Sequence, residues 1–165
     1  MEMHDALEPV AWLLGTWRGS GAGIYPTIAD FTYEEELRYW HSGKPVMAFS
    51  SRTWSTDDGR ALHAEMGYWR PQSDGSIEVV IAHSFGLTEI MTGTASADRA
   101  TLKSVSFEGT PTAKMVVAEE RSLWLEGGEL NYEMGMAFGD NEMQNHLVAN
   151  LERIDKVSGG IYFEL

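Results

Sequence analysis

Histidine is the side chain in this sequence that can hold a metal or carry a proton near neutral pH, and there are five: His4, His41, His63, His83 and His146. Cysteine is absent, so disulfides, thiolate nucleophiles and Cys-ligated metals are excluded. Spacing separates the five. His4 lies in the acidic stretch Met1-Glu2-Met3-His4-Asp5, at a terminus expected to fray. His41 ends an alternating run beside Ser42-Gly43 and reads as a solvated strand end. His83 follows Val79-Val80-Ile81-Ala82 and reads as a hydrogen-bonded core or rim residue. His63 alternates with Glu65 and Gly67 against Leu62, Ala64, Met66 and Tyr68, and a lone histidine on a strand is by default structural. No His-x-His pair and no Glu-x-x-His helix supplies the several ligands of a zinc or di-iron centre. A porphyrin is a different case, because it brings its own nitrogens and needs one neutral imidazole from the protein. His146 has the flanks for that, between the loop Gly139-Asp140-Asn141-Glu142 and the apolar run Leu147-Val148-Ala149-Asn150-Leu151. Alternation raises a difficulty: Leu147, Ala149 and Leu151 share one face, so His146 belongs to the other unless a bulge or strand start re-aims it.

Strands must position these side chains. Only Asp5 to Leu14 reads as helix, with Leu7, Val10, Ala11 and Leu14 at i, i+3, i+4 and i+7, Asp5 as N-cap and Gly15 as stop. The expected strands then run Thr16–Gly21, Phe31–His41, Val46–Trp54, Ala61–Arg70, Ile77–His83, Leu87–Thr94, Thr101–Phe107, Lys114–Leu125, Leu130–Phe138 and His146–Ile154. Turn chemistry separates them, as at Asp57-Asp58-Gly59 and Gly127-Gly128. The motif Gly15-x-Trp17-x-Gly19-x-Gly21, followed by Tyr25-Pro26-Thr27, holds too much glycine for a helix. It reads as a first strand with Trp17 as apolar anchor, its glycines letting another backbone or a flat ligand come close. Ten short antiparallel strands most economically close into an up-and-down barrel, an all-β fold, with a sandwich as the alternative. A barrel of about ten strands is wider than its side chains can fill and should hold a ligand cavity.

The 165 residues suit one domain, expected over 1–157, with 158–165 as a tail or an extra edge strand after Gly159-Gly160. Apolar residues make up 43% of the chain and charged residues 22%, an ordinary globular balance. The net charge of −13 argues against partners with phosphate backbones or anionic membrane surfaces. The N-terminus lacks a signal-peptide profile and no apolar run approaches bilayer length, so a cytoplasmic location is expected. Six Trp and six Tyr leave aromatics for a homodimer surface.

Several separated motifs, in order, resemble the nitrobindin family of haem-binding β-barrels. The resemblance runs from Leu13 to Arg153. It is carried by Gly15, Trp17, Gly19 and Gly21, Tyr25-Pro26-Thr27, Gly43-Lys44-Pro45, Leu62-His63-Ala64-Glu65 with Gly67-Tyr68, and Thr88-Glu89-Ile90. Further on come Pro111-Thr112-Ala113-Lys114, Glu129-Leu130-x-Tyr132 with Met136, and Gln144-x-His146-Leu147. The resemblance implies a ten-stranded barrel, similar to lipocalins and fatty-acid-binding proteins, that carries haem b near one mouth. It implies that the ferric haem binds nitric oxide and isomerises peroxynitrite to nitrate, with no catalytic side chain beyond the iron. By the same resemblance His146 is the axial ligand, Thr27 lines the pocket, and Leu62, His63 and Met136 lie near it. Lys114 is either a haem contact, through a propionate, or a solvated lysine.

The chain departs from the family pattern at Asn145, where proline is frequent, and at the bulkier, acidic loop Phe138 to Met143. Both bear on haem affinity and solvent access, and neither removes the ligand. A competing reading is a non-catalytic carrier of a fatty acid or other small apolar ligand, which would pair an apolar cavity with a cation. Arg38, Arg70 and Arg121 are available, but strand parity does not bring them together. A barrel with a closed cavity that binds only partners is a third.

Overall fold

Gly15 opens the first strand at a φ of 129°, where an L side chain is strained, and this bend delivers Trp17 into the core with no exposed surface. The computed structural model describes residues 1–26 and 28–155. The Trp17 indole N–H donates to the Leu13 carbonyl at 2.7 Å, and the Arg153 guanidinium lies 4.2 Å above the ring. Arg153 also donates to the carbonyls of Leu14 (2.8 Å) and Trp12 (2.6 Å). First strand, last strand and N-terminal helix are thus tied at one point, where one end of the molecule is sealed.

That helix is a 3-10 helix over Asp5–Leu13, with a different buried face from the one expected. Leu7, Val10 and Leu13 are fully buried, a spacing of three that matches three residues per turn. Ala11 and Leu14 are only half-buried. His4, not Asp5, is the N-cap: its Nδ1 accepts from the Ala6 N–H at 3.1 Å. The expected frayed histidine is a capping residue.

Ten strands follow: β1 Gly15–Tyr25, β2 Ile28–His41, β3 Met47–Ser55, β4 Ala61–Pro71, β5 Ser76–His83, β6 Leu87–Ala95, β7 Arg99–Gly109, β8 Val116–Glu126, β9 Glu129–Phe138 and β10 Gln144–Asp155. Each pairs antiparallel with its sequence neighbours, and β1 pairs with β10, so the barrel closes with no free edge. Alternation carries the fold, as in β5, where Ile77, Val79, Ile81 and His83 are buried and Val80 and Ala82 exposed. Gly127 and Gly128, with φ of 63° and 91°, supply the two-residue hairpin between β8 and β9. The expected ten-stranded barrel is the fold observed, with strand ends shifted by a few residues. The expected tail 158–165 lies outside the described residues.

The glycines of β1 make room for neighbours rather than for a flat ligand. A Cβ on Gly19 would collide with the Asn150 carbonyl of β10. Gly21 and Gly23 pair across from Tyr33 and Phe31, whose rings fold over the vacant positions. Gly19→Val should therefore cost about 1–3 kcal/mol by forcing β1 and β10 apart. Gly21→Val should displace the Tyr33 ring as well. Urea denaturation with an unchanged midpoint in both variants would show that this close packing is not required.

Candidate functional site

The end of the barrel away from Trp17 is open and leads into a cavity of about 900 Å³. Its mouth is lined by Tyr25, Phe31, Phe85, Lys114, Phe138 and His146. Strand β10 brings His146 there through an irregularity. Asn145 pairs with Gly135 of β9 and Leu147 with Met134, so His146 is the extra residue of a bulge. His146 and Leu147 consequently both line the cavity, which removes the parity difficulty.

The His146 Nδ1 lies 3.0 Å from the Ile24 carbonyl. A carbonyl only accepts, so Nδ1 carries the proton and Nε2 keeps its lone pair. No hydrogen bond engages Nε2 among the described residues. Burial lowers the imidazole pKa, outweighing the Ile24 bond, and Lys114 adds to the depression, so the ring is neutral at pH 7. Tyr25 meets it edge-on at 5.3 Å between centroids and Phe31 at 6.4 Å. Tyr25 is itself anchored, its hydroxyl accepting from the Phe138 N–H at 3.0 Å.

Below the mouth the wall turns polar. Arg121 of β8 donates to both oxygens of Glu65 (2.6 and 3.0 Å) and to Glu119 at 3.0 Å, and stands 3.6 Å from Glu89. Burial raises the Glu65 carboxyl, but the Arg121 charge and bonds from His63 and Arg121 outweigh it and hold it well below the carboxylate range. Glu119 goes the other way, since burial exceeds its share of Arg121. Glu35 is also raised by burial, although Tyr132 (2.6 Å) and Ser51 (2.7 Å) donate to it. Tyr33 extends this line with a 2.7 Å contact to the Tyr132 hydroxyl.

Leu62, His63, Lys114, Met136 and His146 all line the one cavity. Lys114 is exposed at the rim, its ammonium 5.7 Å above the Phe85 ring. Gly15, Trp17, Gly19 and Gly21 are structural, and Thr27 lies outside the described residues. His41 is a correction: it is buried, not solvated, and its Nδ1 accepts from the Gly43 N–H at 3.2 Å as the chain turns back. His83 is the hydrogen-bonded core residue expected, 3.2 Å from Glu89, whereas His63 is not a lone strand histidine: with Glu65 and His83 it forms a compact group. The interior acids Glu35, Glu65, Glu89 and Glu119 went unread. Their signal is parity: Glu35 shares its face with Tyr33, Leu37 and Tyr39, and Glu89 shares its face with Leu87 and Met91.

A closed barrel, sealed at one end and presenting an oriented, neutral imidazole at the other, defines a small-ligand barrel suited to a haem. The chain belongs to the family of the THAP4-like, heme-binding beta-barrel domain, whose model matches residues 6–153. It is 45% identical over 152 residues to peroxynitrite isomerase Rv2717c of Arabidopsis thaliana, covering 92% of this chain and 91% of that one. It is 43% identical over 156 residues to peroxynitrite isomerase 2 of Mycobacterium ulcerans, covering 92% and 97%. The crystal structure of Rv2717c from M. tuberculosis matches with a TM-score of 0.85 at 40% identity, covering 92% of this chain and 99% of that one. The mouth fits the group: one imidazole has a free nitrogen, aromatic rings flank it, and a cation stands at the rim. No helix among the described residues is long and apolar enough to cross a membrane.

Arg121 is the counter-charge of the deep wall, and its removal would leave Glu119 buried without a cation and Glu65 with only His63 and His83 beside it. Arg121→Met should lower stability at pH 7 by about 3–5 kcal/mol. Without the guanidinium, burial raises both carboxyl pKa values, so acid neutralises them more readily and the deficit against wild type should shrink at pH 5. Urea denaturation at both pH values checks this; a deficit that does not move with pH would remove Arg121 from that role.

Proposed function

We propose that the chain binds one haem b at its open end through His146 and isomerises peroxynitrite to nitrate there, with nitric oxide as a second small ligand. The observation that carries the reading is the bulge that turns His146 into the cavity with Nδ1 tied to Ile24 and Nε2 free. Support comes from the haem-binding family and from relatives named peroxynitrite isomerases at 43% and 45% identity. Haem held by His146 would supply the ferric iron chemistry that peroxynitrite isomerisation needs.

The chain's own residues supply binding, orientation and access. His146 offers a neutral nitrogen at pH 7, and its bond to Ile24 fixes both the tautomer and the ring plane. Tyr25 and Phe31 restrict rotation of that ring. Leu62, Met136, Phe138 and Leu147 give the mouth an apolar lining that limits water. Lys114 would pair with a propionate at the rim, and His63 would form part of the wall. A fatty-acid carrier is disfavoured by the charge inside. Arg121 is committed to Glu65 and Glu119, and Arg38 and Arg70 are exposed. A homodimer would form on the outer face of β4 to β6, where Met66, Tyr68, Val80 and Ile90 are exposed side by side.

His146→Ala should keep the barrel, since a half-buried strand-end imidazole adds little to the core, but should lose the nitrogen that would hold the iron and with it most specific hemin binding. Imidazole added from solution should partly restore the Soret band, while His41→Ala should leave it unchanged. An unaltered Soret maximum in His146→Ala would assign the ligand elsewhere. Lys114→Ala should weaken hemin binding only severalfold, because the pair it makes is exposed. Hemin titration of both variants measures this.

A further inference from the structure

His63, Glu65 and His83 stand together on the cavity wall, and the haem reading uses His63 alone of the three, as lining. His63 and Glu65 are alternate residues of β4 and share its inner face, and Glu65 pairs directly with His83 of β5. Their nearest donor atoms form a nearly equilateral triangle. His83 Nδ1 is 3.4 Å from His63 Nε2 and 3.4 Å from Glu65 Oε2, and His63 Nε2 is 3.5 Å from Glu65 Oε2. Zinc holds nitrogen and oxygen ligands at about 2.0–2.1 Å in a tetrahedron, whose edges are then about 3.4 Å. An octahedral face with similar bonds has edges of about 3.0 Å, so the triangle suits a tetrahedral ion.

The surroundings select the lone pairs. His83 Nε2 lies 3.2 Å from Glu89 Oε2, and a carboxylate accepts, so a neutral His83 carries its proton on Nε2 and bares Nδ1. The imidazole–carboxylate pair that results is the outer partner that metal-bound histidines regularly have. Glu89 is wholly buried and its second oxygen has no partner. His83 Nδ1 and Glu65 Oε2 then face each other as two acceptors at 3.4 Å, with His63 Nε2 beside both and Arg121 engaging Glu65 from the other side. The group also sits between the carboxyl groups of Glu65 and Glu89, with Arg121 as the one guanidinium beside them, a setting in which a divalent cation would be favoured. Phe85 stacks on His83 at 5.3 Å and flanks His63 at 5.5 Å, walling one side. The His63 side chain keeps 31% of its surface exposed toward the cavity, which leaves an entry path and room for a fourth ligand.

We propose that His63, Glu65 and His83 form a zinc site, with Glu89 orienting His83 and the fourth position open to water or a small anion from the cavity. It shares no ligand with the site at His146, although both line the same cavity. The test is titration of the full chain, hemin-free and hemin-loaded, with zinc chloride against a competing chromophoric chelator, and with cobalt(II), whose tetrahedral complexes give strong visible bands. One equivalent should bind, with a tetrahedral cobalt spectrum. His63→Ala should weaken binding by at least roughly tenfold and Glu89→Gln by about 10–100-fold. His146→Ala should bind zinc as the wild type does. His63 is half-exposed, so its variant keeps the test valid even if His83→Ala fails to fold. Absence of stoichiometric binding would overturn the proposal. So would affinity that survives His63→Ala unchanged, or that disappears in His146→Ala.

Discussion

Charge inside a closed barrel is the constraint on which this structure turns. A barrel of ten strands leaves an interior too wide for side chains to fill, and here that space is divided between an apolar seal and a polar wall. The polar wall holds Glu35, Glu65, Glu89 and Glu119 against the guanidinium of Arg121. Their different environments separate their titration: Glu65, gripped at both oxygens, stays ionised, while Glu35 and Glu119 are pushed toward the neutral form by burial. The seal makes this possible, because Trp17, Arg153 and the 3-10 helix close one end and leave the mouth as the way in.

The fold was legible because antiparallel hairpins leave a local record. Each strand is bounded by its own turn residues, and most alternate in burial, so ten segments could be counted without knowing their partners. What local patterning does not carry is the type of the first helix. A repeat of three and a repeat near 3.6 diverge by one residue over two turns, and Leu13 against Leu14 decided between them. The burial of His41 was hidden for a similar reason. It depends on how the segment after β2 folds back over the strand end, and no single residue records that.

The candidate site was legible in part. His146 stood out by its flanks and by the resemblance, yet its direction contradicted the strand it begins. A bulge is a relation between two strands, and the residue that bulges from β10 is defined only against β9. The acidic wall escaped for the opposite reason. Each glutamate read alone is an ordinary polar residue, and only the sum over β2, β4, β6 and β8 makes an electrostatic feature. His63, Glu65 and His83 belong to the same class, brought together by the pairing of β4 with β5 across an intervening turn.

The bulge at His146 also makes the site a matter of counting. Upstream of it, residues of β10 and β9 pair as Gln144 with Met136 and Asn145 with Gly135; downstream, the sum of partner numbers is larger by one, beginning at Leu147 with Met134. A related chain could keep the histidine, its neighbours and every strand, and still point the imidazole at solvent if it lacked that single offset. Likewise, a one-residue deletion beside it would exchange the inner and outer faces locally while leaving the hydrophobic composition untouched. Membership of a ligand-holding lineage is thus written in phase as much as in letters, and an alignment column occupied by histidine does not by itself specify a pocket.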